Sequence, residues 1–96
     1  MSLARGEWLC SRVYAPLGRG EPAVWHARRC VEINEAAGIG DWDIASAYEA
    51  MARALFVASD RAGAADWKAK ATAALAGISE ADDREVIVKD LASIAL

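Results

Sequence analysis

Three groups of residues in this chain have side chains whose types and spacing could do chemistry. They are Cys10, His26 and Cys30; the acids Asp41 and Asp43; and Arg12, Glu49 and Arg53. Cys10 and Cys30 are expected at facing core positions of one helical hairpin, with His26 one turn before Cys30. A zinc site there would need a fourth ligand and deprotonated thiols, and none of the usual ligand spacings is present. A disulfide is a second possibility. The reading carried forward is two buried thiols acting as small hydrophobic groups. His26 is the only histidine, so no triad can draw on a second base. Asp41 and Asp43 are spaced to cap a helix and meet its positive end, not for paired acid–base work. Glu49 and Arg53 form an i,i+4 pair, worth about 0.3 kcal/mol when exposed. No phosphate loop, nucleophile elbow or dinucleotide fingerprint occurs. The expectation is therefore no catalytic residue, no metal site and no cofactor.

The elements that would position these groups are helices. Hydrophobic residues make up 55% of the chain, and many are alanines, which favour helix and tight helix–helix contact. Beta-branched residues never alternate over a strand's length, so the fold class is all-α. With 96 residues the chain makes one domain. A net charge of −3 argues against nucleic acid as a partner. The balance is uneven: residues 1–30 hold five arginines and two glutamates, a local +3, leaving −6 for residues 31–96. That asymmetry would steer an acidic ligand toward the first two helices or align two copies. No apolar run approaches the roughly 20 residues of a membrane span. The early Glu7 and the absence of a long apolar stretch argue against a signal peptide, and two cysteines without framework spacing point to a reducing cytoplasm.

The first helix is expected over about 3–17, capped by Ser2, with Leu3, Cys10, Val13, Tyr14 and Leu17 as its buried face. Pro16 should kink it or end it early. The second helix starts at Pro22 and runs to about Ala37, burying Ala23, Ala27, Cys30, Val31 and Ile33, with Gly38 as its stop. The third, from Asp41 to about Ser59, is the central element. Tyr48, Met51, Ala52 and Leu55 are its expected core. Asp60 caps a fourth helix that ends near Gly77. Ser79 and Asp82 resemble a capping box opening a fifth, which should bury Val86, Ile87, Leu91 and Ile94.

The first two helices also look like the next two. Ser11 matches Ala52, Tyr14 matches Leu55, Gly18 matches Ser59, Ala23 matches Ala64, Ala27 matches Lys68 and Cys30 matches Ala71. Every pair is offset by 41 residues. This pattern of large and small residues, a turn Gly and second-helix Ala resembles the tetratricopeptide repeat. The stretches Trp25-His-Ala-Arg-Arg-Cys30 and Gly38 to Ala50 are similar to those of a group of uncharacterised bacterial tetratricopeptide-like proteins. The resemblance implies five antiparallel helices: repeat one at about 3–37, repeat two at about 41–76 and a capping helix at about 79–95. It also implies a concave groove lined by Arg5, Trp8 and Arg12 of the first repeat and Glu49, Arg53 and Phe56 of the second. Arginine forks beside aromatic rings would suit an acidic or C-terminal peptide. Two repeats fall short of the three that usually make a stable stack. A homodimer through the open N-terminal end is therefore expected, using Leu3, Trp8, Leu9 or Trp25. Two functions follow: a non-enzymatic module that binds a protein or peptide in the groove, or a structural self-association domain.

Overall fold

The computed structural model describes residues 3–95, which form α1 (Leu3–Tyr14), α2 (Gly20–Ala36), α3 (Asp41–Val57), α4 (Arg61–Ala74), a 3-10 turn (Leu75–Gly77) and α5 (Ala81–Ala92). Among the described residues there is no strand, so the fold is all-α. The expected Ser2 cap lies outside them.

Helix ends follow local rules. Pro16 has no N–H to continue α1, and the helix stops at Tyr14. The chain turns through Gly18, at φ 72°, with Gly18 N bonded to the Ala15 carbonyl and Arg19 N to that of Tyr14. This is a Schellman closure. The same closure recurs 41 residues later. Ser59 is left-handed at φ 68°, its N–H donates to Phe56, and Asp60 N donates to Leu55. The same closure also ends α2, where Gly38 is left-handed at φ 67°, its N–H donates to Glu35 and Ile39 N donates to Asn34. Asp60 caps α4, accepting from Gly63 N at 2.9 Å. α2 begins at Gly20, ahead of the expected start, with Pro22 on its first turn where no N–H is required.

Packing is set by small residues. Ala45, Ala47, Ala50, Ala52 and Ala54 of α3 are fully enclosed, so α2, α4 and α5 all approach its backbone. The closest approach is at Gly20, where a Cβ would lie 2.7 Å from the Ala58 Cα. Ser11 meets Ala23 while Glu7 meets His26, so α1 and α2 run in opposite directions. α5 instead runs alongside α3 in the same sense, tied at Asp41 to Ser79 and at Arg53 to Asp90. One core cluster joins α1, α2, α3 and the start of α4 around Met51 and Leu55. A second packs Ile78, Ile87, Leu91 and Ile94 against Ala45, Ala52 and Ala71.

Several sequence expectations need correction. The buried side of α1 is Ala4 and Ser11, followed by Ala15 in the turn, whereas Leu3, Cys10, Val13 and Leu17 are exposed. The small side wins because α1 sits close to α2, close enough for Ser11 Oγ to donate to the Ala23 carbonyl at 2.9 Å. Asn34 is buried while Ile33 is only half-buried. Its amide reaches Cys30 Sγ at 3.5 Å. Val86 is half exposed. Ser79 does not cap α5; its N–H and hydroxyl both donate to Asp41, which sits at φ 56°.

Candidate interaction cleft

α1 carries Arg5, Trp8 and Arg12, from its first turn to its last, on the side facing α3, at helical spacings of three and four. Each meets a partner there. The Arg5 guanidinium bonds both Asp43 oxygens, at 3.0 and 3.3 Å. The Trp8 ring stands edge-on to Trp42, with centroids 5.7 Å apart. Arg12 donates to Glu49 at 2.9 Å and lies over the Trp8 face at 5.4 Å. A cleft of about 400 Å³ opens between the two helices, lined by Arg5, Trp8, Leu9 and Trp42. Apolar walls with charged groups at the rim make a ready seat for an apolar side chain.

Beneath the cleft lies a void of about 10 Å³ bordered by Trp8, Asn34, Trp42, Asp43 and Ser46 among others. That is roughly the room one water needs. Trp8 Nε1 is buried and has no hydrogen-bond partner among the described residues.

Further along the cleft is an ionic cluster. Glu49 is 1% exposed and accepts from Arg12 and, at 2.9 Å, from Arg53 Nε. Arg53 also donates to the Asp90 carbonyl and to Ser93 Oγ, each at 2.7 Å. The Asp90 carboxylate stands 3.8 Å from Arg12. Burial outweighs the attraction of the two guanidinium groups and pushes the Glu49 carboxyl above its ordinary value. By contrast, the hydroxyl and N–H of Ser79 hold the Asp41 carboxyl below the usual range.

The six residues expected to line a groove therefore divide. Arg5 and Trp8 line the cleft. Arg12 and Arg53 clasp Glu49, which is enclosed, not exposed at a groove surface. Phe56 is half-buried between the two cores, with the Arg61 guanidinium 5.6 Å over its ring. Leu9 and Trp42 line the cleft and Asp90 stands in the ionic cluster; none of the three was among the six. In the sequence nothing at Glu49 separates it from an ordinary exposed i,i+4 pair with Arg53.

Cys10 is exposed and Cys30 buried, so they do not form the facing pair expected from sequence. Burial raises the Cys30 thiol to about 11, which makes it a poor nucleophile. His26 Nδ1 lies 2.7 Å from Glu7, and its ring stacks on Tyr14. Among the described residues no helix is long and apolar enough to cross a membrane. No family model, curated protein or solved structure matches the chain.

Proposed function

We propose that this chain is a non-enzymatic protein-interaction module, of tetratricopeptide-like construction, working in the cytoplasm. A partner segment seats an apolar side chain on Trp8, Leu9 and Trp42, with acidic flanks directed at Arg5 and Arg12. The observation that carries this reading is the open cleft between α1 and α3, whose walls are aromatic and aliphatic, with the Arg5 and Arg12 guanidinium groups beside it, bonded to Asp43 and Glu49. The resemblance to tetratricopeptide repeats points to the same helices as the ligand-facing ones. The ionic cluster shifts emphasis within the site. Arg53 is committed to Glu49 and α5, so its role is to hold the cleft's far wall in place, and direct capture falls to the Trp8 end.

The test is a fluorescence-anisotropy titration with synthetic peptides carrying one Leu or Trp anchor between aspartates. Binding should weaken with salt and fall at least about tenfold in Leu9→Glu, whose parent side chain is exposed. Equal binding by wild type and Leu9→Glu would remove the cleft from the account.

Self-association is the second reading, supported by a separate observation. Leu3, Val13, Leu17 and Trp25 expose more than half of their surface on the outer side of the first hairpin. Light scattering that returns the mass of one chain at tens of micromolar would rule it out.

A further inference from the structure

The outer side of the first hairpin has a symmetry of its own. Leu3, Gly6, Cys10, Val13 and Leu17 follow at spacings of three, four, three and four, a helix-packing seam along α1 and its following turn. The seam is centred on Cys10, with Leu3 and Leu17 seven residues to either side. Glu7 bonds His26 and Ser11 bonds Ala23, which sets Trp25 of α2 within one turn of the level of Cys10. About Trp25 the exposed charges alternate: Arg19, the residue before α2, and Glu21 precede it, and Arg28 and Glu32 follow it, while Arg29 lies over its ring at 5.3 Å and pairs with Glu7.

We propose that two copies of this chain pair through this face about a two-fold axis that crosses α1 at Cys10 and α2 at Trp25. The proposal rests on the self-association reading and specifies its geometry. Such an axis runs α1 antiparallel to α1 of the second copy. Leu3 then meets the partner's Leu17, Cys10 meets the partner's Cys10, and Gly6 leaves room opposite the partner's Val13. On α2 the same operation sets Arg19 against the partner's Glu32 and Glu21 against the partner's Arg28. Each contact occurs twice, as an isologous interface requires. Charge complementarity selects this axis. An axis parallel to the helices would instead lay α1 over α2 of the second copy and leave these four charges without opposite partners. The face is roughly 18 Å long, from the rise of a twelve-residue helix, and about two helices wide. That is at the small end of specific interfaces, so a micromolar dimer is expected. The cleft at Trp8 and Leu9 lies toward α3 and stays open in the pair.

The test combines sedimentation with cross-linking of the full chain. Wild type should sediment as a dimer at tens of micromolar, and a short bismaleimide should link the two Cys10 thiols by one addition at each end. Cys10→Ser should abolish the link, since Cys30 is buried. Glu21→Arg should weaken the dimer about tenfold by setting like charges opposite one another twice. Glu21→Arg with Arg28→Glu should restore it, because the two positions, seven residues apart, swap sign together. A monomer at those concentrations overturns both the pairing and the reading beneath it. A dimer that gives no Cys10 link, or that the double exchange does not restore, overturns this geometry and leaves self-association standing.

Discussion

α1 and α3 are counterparts, 41 residues apart, yet they live in different surroundings. α3 is enclosed by α2, α4 and α5, with nine buried residues. α1 buries only Ala4 and Ser11 and turns its aliphatic residues outward. Even the equivalent arginines differ in company: Arg12 lies over Trp8 at the cleft, while Arg53 is bound to the α5 backbone. α3 supplies the core, whereas α1 leaves most of its aliphatic side chains at the surface. The difference arises because α5 runs beside α3 and covers it, and nothing among the described residues covers α1 in the same way.

Substitutions should respect that division. Glu49→Leu strips both guanidinium groups of their shared carboxylate and should cost about 3 kcal/mol, at the lower end for a broken buried pair because both arginines still reach water. Urea denaturation measures it. Ala52→Leu forces a large side chain into the contact between α3 and α5 and should cost about 2 kcal/mol in the same assay. Gly20→Ala places a methyl against the Ala58 backbone, and about 1 to 2 kcal/mol should be lost. Trp8→Phe removes a buried donor that has no partner among the described residues and should change stability by less than about 1 kcal/mol, in either direction. On the bare face, Val13→Ala should shift it by less than about 0.5 kcal/mol. If Val13→Ala costs as much as Ala52→Leu at concentrations where the chain is monomeric, the contrast between the two helices is wrong.

The pH response carries a further contrast. The folded pKa of Glu49 is raised, so the stability linked to this group is fully present below its unfolded value and is lost as pH rises through its folded one. Asp41 is lowered, so its contribution is present above the unfolded value and is lost as pH falls through the folded one. Stability of wild type minus that of Glu49→Gln should therefore grow as pH drops through the carboxylate range. For Asp41→Asn the corresponding difference should shrink.

Helix number and most boundaries were legible because local signals decide them: Pro16, the left-handed positions at Gly18 and Gly38, and the Asp60 cap. The buried side of α1 was not. Hydrophobicity favoured Leu3, Val13 and Leu17, but close approach to α2 selects residue size, and Ala4, Ser11 and Ala15 are what fit. Glu49 was read as surface because an i,i+4 pair with Arg53 is ordinary on an exposed helix. What encloses it comes from far along the chain: Arg12 of α1 reaches Glu49, and the Asp90 carbonyl of α5 holds Arg53 beside it, each pair 37 residues apart. Asp41 is a further correction: the expected cap does not form, because α3 has no side-chain cap bond and the Asp41 carboxylate instead accepts from Trp42 N and from Ser79, a contact that depends on where α5 docks.

The four tryptophans report on separate surfaces: Trp8 and Trp42 at the cleft, Trp25 on the outer face, and Trp67 against Tyr48. The most direct measurement is to follow their indole N–H resonances by NMR while titrating an aspartate-flanked Leu peptide. The account predicts that Trp8 and Trp42 move together and saturate, while Trp25 and Trp67 stay in place. Movement of Trp25 alone, or of none of the four, would contradict the cleft as the site of interaction.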